Sequence, residues 1–237
     1  MKKINFTRKY LQYYSSCLLL ICCMACEKPD PKVFDGTIYS ENYVLGYLYD
    51  VDSMAVSSTI NENGTLYKYG NGLSFAFWGN GCNANTNRET FLSYAKQYND
   101  VSYHQSVYEG RRNVMNDMSL AEPIRSISVV SDMDMDAVHP AGTSLNDIIY
   151  FSAASPKDFI LNGYPKVETN EPGYDYGYQL VQGFLSELDP EDLVLLDIHD
   201  IYIDFPEVPL IKEHNFTVTV TFANGKVLTA LCNKKFE

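Results

Sequence analysis

Three aspartates at alternate positions have the spacing most suggestive of a cation site. Asp132, Asp134 and Asp136 stand two residues apart, and Ca²⁺ takes carboxylate oxygens from alternating positions of a loop. An EF-hand is excluded, because Ala137 stands where the sharp turn needs Gly and Thr143 where a bidentate Glu belongs. A looser Ca²⁺ site stays open, as does the simpler interpretation that these acids leave a strand end into water.

Histidine and serine chemistry is only weakly indicated. In a strand, Asp197 and His199 would share one face, but a catalytic or metal site needs further converging ligands. Ser74 lacks the second Gly of a nucleophile elbow, because Ala76 occupies that place. The sequence therefore assigns no catalytic residue and favours a non-enzymatic protein over an enzyme.

Aromatic side chains beside amides and acids indicate carbohydrate binding. Trp78 precedes a stretch of Gly and Asn, while Tyr174, Tyr176 and Tyr178 alternate with Gly and Asp. Exposed rings stack on the apolar faces of sugars, and nearby Asn and Asp side chains bind hydroxyls. Tyr-rich loops also fold back over a core, so both interpretations stay open.

The N-terminus carries the most specific pattern of the sequence. A basic head (Lys2, Lys3, Arg8 and Lys9) precedes an apolar run at 17–24, and the small Ala25 comes directly before Cys26. This order resembles the signal peptides of bacterial lipoproteins. The resemblance implies cleavage after Ala25, acylation of Cys26 with palmitate-like chains, and attachment to a cell-envelope membrane, with the outer membrane as the expected destination.

The same N-terminal residues allow other interpretations. Cys23 and Cys26 form a C-x-x-C pair, which suits redox or zinc chemistry, but no second pair follows at metal-site spacing. A transmembrane helix needs about 20 apolar residues, and the run here is shorter. Ordinary secretion is the remaining alternative.

Two cysteines beyond the leader form a candidate disulfide. Cys82 and Cys232 would be the thiols left after cleavage and acylation, and thiols pair in an oxidising envelope. Pairing requires Cα atoms within about 7 Å. Since sequence does not show that proximity, two separate thiols are the alternative.

Charge limits the class of partner. The formal net charge is −12, and the leader contains four of the 18 Lys and Arg residues but no acid. Such an acidic chain repels phosphate backbones, which argues against nucleic acid as a partner. The expected partners are a membrane, through the lipid anchor, and glycans or envelope proteins.

The C-terminal segment has the clearest structural pattern. Phe216–Phe222 alternates apolar residues with Thr, the period of a half-buried strand. Asn224-Gly225 suits a two-residue hairpin turn. This turn predicts that Phe222 lies opposite Val227 and that the apolar face of the first strand enters a core.

Several shorter patterns complete the fold prediction. Strand-like runs lie at 65–69, 73–78, 124–130 and 198–205, the first two as a hairpin, and helical stripes lie at 91–98 and 181–188. Together they predict a mainly β protein: an immunoglobulin-like or related antiparallel β-sandwich with a few short inserted helices. The expected organisation is a signal peptide at 1–25, a flexible tether at 26–36 and one domain at 37–237, with a split near residue 123 as the alternative.

One further segment resembles a known group of proteins. Residues 127–132, followed by 139–147 with the sequence His-Pro-Ala-Gly-Thr-Ser-Leu-Asn-Asp, are similar to a segment of uncharacterised lipoproteins from Bacteroidota. The resemblance implies an origin rather than an activity. The leading hypothesis is a membrane-anchored, non-enzymatic binding or assembly component of the envelope, with glycans as one candidate ligand. An envelope hydrolase acting on glycans and a surface adhesin or structural subunit are the alternatives.

Overall fold

Strands dominate the part of the chain that the computed structural model describes, which is residues 37–58, 71–108, 118–165 and 177–237. The strands are β1 (Thr37–Ser40), β2 (Gly46–Ser57), β3 (Leu73–Asn83), β4 (Gln105–Tyr108), β5 (Met118–Leu120), β6 (Ile124–Ser131), β7 (Tyr150–Ser155), β8 (Gln179–Phe184), β9 (Ile201–Asp204), β10 (Glu213–Phe222) and β11 (Val227–Lys235). The helices are α1 (Arg88–Gln97) and α2 (Lys157–Leu161), and a 3₁₀ turn spans Pro190–Asp192.

Two sheets enclose the main core. The larger has the strand order β5-β2-β3-β9-β7-β8, and the smaller has the order β11-β10-β6; β1 and β4 form a separate two-stranded sheet. Their facing side chains meet in one hydrophobic cluster. The Phe77 ring lies 6.2 Å from that of Phe222, and the Phe205 ring lies 4.9 Å from that of Phe216. The predicted mainly β, sandwich-like class with few helices is confirmed, while an immunoglobulin-like strand order is not established.

The period-two pattern of β10 places one of its faces in the core. Phe216, Val218 and Val220 are completely buried and Phe222 nearly so, because alternate residues of a strand point to the same side. His214 has the same phase and is also completely buried. The neighbouring strands β6 and β11 both pair with β10 in antiparallel register.

The hairpin after β10 has a longer turn than predicted. Thr221, not Phe222, lies opposite Val227, because the connection closes through bonds of 2.9 Å from the Phe222 amide to the Lys226 carbonyl and from the Gly225 amide to the Phe222 carbonyl. Gly225 has φ +87°, as in three-residue hairpin loops with a left-handed Gly. A shift of one residue exchanges the faces of the return strand, so Leu231 is 76% exposed.

The remaining sequence patterns have mixed outcomes. The strands predicted around 73–78, 124–130 and 198–205 correspond to β3, β6 and β9, and the stripe at 91–98 corresponds to α1. The helix predicted at 181–188 is wrong, since β8 occupies its first half and pairs with β7. The strand predicted at 65–69, and with it the predicted hairpin, lies outside the described residues. Among the described strands, β3 pairs with β2 and β9.

A second, aromatic cluster packs beneath α1. Tyr47 on β2 contacts the rings of Phe91, Tyr94 and Tyr98, with centroids 5.6–6.2 Å apart. The completely buried Asp100 carboxylate accepts bonds from the Tyr43 amide at 2.7 Å, the Val44 amide at 2.8 Å and the Tyr164 hydroxyl at 2.8 Å. These bonds fix the chain after α1 to the segment just before β2 and to Tyr164, just after α2.

Residues Ile38–Glu237 form one compact unit. In the described part of this unit, no helix is long and apolar enough to cross a membrane.

The observed hairpin register is testable through stability. Phe216→Ala should lower the free energy of unfolding by about 3–5 kcal/mol, because it leaves a cavity in the core. Leu231→Ala should change it by less than about 0.5 kcal/mol, because the side chain is on the surface. Urea unfolding of both variants measures the difference, and a large loss for Leu231→Ala would contradict the register.

Candidate binding groove

The aspartate-rich loop, residues 132–149 between β6 and β7, is folded by its own carboxylates. Asp132 accepts bonds from the Asn215 amide at 2.8 Å and from its side-chain nitrogen at 2.7 Å. Asp134 accepts the Ala141 amide at 2.7 Å, and Asp136 accepts the His139 amide at 2.8 Å. The Asn215 bonds hold the pKa of the Asp132 carboxyl below its usual value.

This arrangement differs from the predicted cation site. Asp132, Asp134 and Asp136 serve separate donors rather than converging on one point. Among the residues that the structure describes, no group of three or more His, Cys, Asp or Glu side chains is placed to hold a metal ion. The acids act as hydrogen-bond acceptors that shape the loop.

His139 is held between two carboxylates of the same loop. Its Nδ1 atom lies 2.8 Å from Asp136 Oδ2, and its Nε2 atom lies 3.2 Å from Asp147 Oδ2. Both nitrogens donate only in the imidazolium form. The hydrogen bond to Asp136 raises the pKa of His139 most, and the bond to Asp147 raises it further. In return, the His139 side chain lowers the pKa of Asp136.

The loop forms one wall of a groove of about 540 Å³. The opposite wall is the segment 205–210 between β9 and β10, and Phe184 at the end of β8 contributes to the groove as well. Three acidic residues stand among the lining side chains: Asp136, Asp147 and Glu207. The groove thus combines apolar side chains with negative charge.

The buried His214 imidazole connects the two walls. Its Nδ1 atom lies 2.7 Å from Ser131 Oγ, where the loop begins, and its Nε2 atom lies 2.8 Å from the Ile211 carbonyl oxygen, just after the second wall. With Nε2 protonated, the ring donates to Ile211 and accepts the Ser131 hydroxyl proton. This Ser–His pair has no access to a substrate, because both residues are buried.

Two of the aromatic residues predicted to contact glycans, Trp78 and Tyr178, are not among the described residues that line this groove. Trp78 projects from β3 with 53% of its surface exposed. Tyr178 packs on Tyr43 in the aromatic cluster, with ring centroids 5.8 Å apart. Tyr174, Tyr176 and the predicted lipidation site Cys26 lie outside the described residues.

The candidate disulfide is not formed in the structure. Cys82 and Cys232 are free and buried, and they belong to different clusters, Cys82 to the aromatic cluster and Cys232 to the main core. Burial raises the pKa of both thiols. The two cysteines are therefore separate packing residues.

The pairing of Asp197 with His199 has a local explanation. The His199 amide donates to Asp197 Oδ1 at 2.9 Å, and the Asp200 amide donates to the Asp197 carbonyl at 3.2 Å. These bonds form a turn that precedes β9, so the two residues do not share a strand face as predicted. Asp197 is buried and His199 is exposed.

Sequence reasoning did not identify the groove residues Glu207 and Leu210. Pro206 and Pro209 were recognisable as residues that end a strand, but the apolar residues between and after them were assigned no role. Leu210 is 96% exposed. The signal in the sequence was Leu210, an apolar residue that directly follows the proline-rich end of a strand.

No model of a known protein family matches the chain, and no curated protein or solved structure matches it either.

The His139 contacts predict a defined pH dependence. Because folding raises the pKa of His139, its protonated form stabilises the fold fully at pH values below the unfolded pKa of about 6.5. This stabilisation is lost as pH rises through the folded pKa. Because folding lowers the pKa of Asp136, its ionised form stabilises the fold at pH values above the unfolded pKa of about 3.9. This stabilisation is lost as pH falls through the folded pKa. Stabilisation by the pair should therefore be greatest between about pH 4 and 6.5.

Two measurements check this window. NMR titration should give His139 a higher pKa in the folded chain than in the urea-unfolded chain, and an equal or lower value would contradict the assignment. The stability difference between wild type and His139→Gln should shrink when the pH is raised above the folded pKa of His139.

The His214 bridge predicts a loss of stability on truncation. His214→Ala should lower the free energy of unfolding by about 2–4 kcal/mol, because it leaves a cavity and removes partners of Ser131 and Ile211. His199→Ala is the matched control, since His199 is exposed. Equal effects of the two substitutions in urea unfolding would contradict the role of His214.

Proposed function

We propose that this chain is a lipid-anchored protein of the cell envelope, expected at the outer membrane, that acts as a non-enzymatic binding or assembly component. The observation that carries the proposal is the leader, in which a basic head and an apolar run end at Ala25-Cys26. Acylation of Cys26 would hold the β-rich body beside a membrane. The similarity of segments 127–132 and 139–147 to Bacteroidota lipoproteins agrees with this assignment.

A binding role is supported by the character of the groove. Its volume of about 540 Å³ lies within the range of ligand sites, about 300–1,000 Å³. The carboxylates on its loop wall are engaged in bonds that fold the loop, as Asp136 is with His139. Catalytic acids and bases need geometry that reaches a substrate, and the Ser131–His214 pair is buried.

Glycan binding is the second candidate, and the observation that favours it is Trp78. Half of this side chain is exposed on β3, and an exposed indole face suits the apolar side of a sugar ring. A glycan screen that compares the full chain with Trp78→Ala tests the candidate. Equal binding by both proteins would remove Trp78 from the site.

The anchoring proposal is tested by metabolic labelling with palmitate. Wild type should incorporate the label and sediment with membranes, while Cys26→Ser should lose both properties, because the acylated sulfur is absent. Cys17→Ser is the matched control within the leader and should behave as wild type. Undiminished labelling of Cys26→Ser would overturn the proposal.

A further inference from the structure

We infer that the groove between the aspartate-rich loop and segment 205–210 binds an extended segment of a partner protein that carries both basic and apolar side chains. The inference rests on the proposed binding function and narrows it to a partner class. Three properties of the groove lead to it: an apolar interior, an exposed apolar rim and an excess of acidic over basic side chains.

The interior of the groove is lined largely by apolar side chains. It is lined by Met135 and Ile148 from the loop wall, by Phe184 from the end of β8, and by Phe205 from the end of β9. Met135 and Phe205 also belong to the main core, so the base of the groove is the outer boundary of that core. Side chains of a ligand that enter here exchange water for packed hydrocarbon.

The apolar surface continues past the groove onto its rim. Leu210 is 96% exposed and lines the groove, and Val138, which follows the lining residue Ala137, is 78% exposed. Exposed apolar residues that adjoin a groove and are rimmed by charge are typical of interaction sites. A ligand confined to the interior would leave this rim uncovered, which favours a longer polypeptide segment.

The rim segment is held in a defined conformation. Pro206 and Pro209 fix two backbone φ angles and carry no amide proton, and the Ile211 carbonyl is bound to buried His214. Leu210 is therefore presented between two constrained positions. A constrained surface loses less conformational entropy when a partner binds.

Charge selects a basic partner. Asp136, Asp147 and Glu207 line the groove, and no Lys or Arg is among its described lining residues. His139 is the one basic group that contacts Asp136 and Asp147 in the described part of the loop, so the three acids still outnumber it, and Glu207 adds its charge from segment 205–210. An anionic segment would be repelled here, and the chain's net charge of −12 adds to this long-range selection.

The same charge disfavours two other occupants. In a symmetric dimer the groove would meet its own copy, so the two sets of acids would face each other. An anionic lipid surface would meet the same repulsion. A basic and apolar polypeptide satisfies both the interior and the rim.

The test uses the full lipidated chain in a neutral detergent and a short fluorescent peptide in which Lys and Leu alternate. Two comparison peptides carry Glu in place of Lys, or Ser in place of Leu. Fluorescence anisotropy should show binding of the Lys-Leu peptide that weakens with added salt. Equal binding of either comparison peptide would overturn the inference, because one of the two required properties would then be unnecessary.

Substitutions on the rim locate the binding. Leu210→Ser should weaken Lys-Leu peptide binding about tenfold or more, the effect of losing one buried apolar side chain. Glu207→Lys should weaken it about fivefold or more, because repulsion replaces an ion pair. Both residues are on the surface, so circular dichroism should show an unchanged fold.

Two remote substitutions provide matched controls. Leu161→Ser on α2 removes a leucine that is 59% exposed, and Glu89→Lys on α1 reverses an exposed acid. Both should bind the peptide as wild type does. Equal weakening by these controls, or a dimer in sedimentation that Leu210→Ser dissociates, would overturn the inference in favour of nonspecific charge or self-association.

Failure of this inference is distinguishable from failure of the proposed anchoring. A chain that incorporates palmitate at Cys26 but does not bind the Lys-Leu peptide remains a lipoprotein and loses only the groove assignment. A chain that binds the peptide with the expected rim dependence but takes up no palmitate keeps its groove and loses its anchor.

Discussion

The alternation of β10 is the constraint on which the core and the groove both depend. A strand of period two that buries Phe216, Val218 and Val220 must also bury His214, which has the same phase. A buried imidazole is costly unless both nitrogens are bonded, and the partners come from the ends of the two groove walls, Ser131 and Ile211. The packing of one strand thereby determines where two loops lie.

The fold was predictable where the pattern was local. The alternation in β10 and the stripe of α1 identified their elements, because each faces one core with one side. The hairpin register depends on Asn224, which does not adopt the positive φ that a two-residue type I′ turn needs at both central positions, so the turn is one residue longer. The segment 181–188 carries a helical stripe, yet β8 forms at its start because pairing with β7 overrides a weak local preference.

The groove was less accessible to sequence reasoning because distant segments build it. The carboxylates at Asp132, Asp134 and Asp136 were recognised as one motif, but their donors, such as Asn215, lie far along the chain. Leu210 and Glu207 gain significance only when β9 and β10 bring segment 205–210 opposite the loop. The N-terminal pattern could be recognised without a fold, because a lipoprotein signal is defined by the order of its residues; cleavage after Ala25 stays a prediction.

The separation of Cys82 and Cys232 has a consequence for maturation. Each thiol is enclosed in its own hydrophobic cluster, so these two cysteines of the described residues form no bond that an oxidase must make or an isomerase must correct. The packing around Cys82 and Cys232 therefore does not depend on their oxidation. Thiol reagents should reach these sulfurs only through opening of the structure, which makes their labelling rates a report on local unfolding.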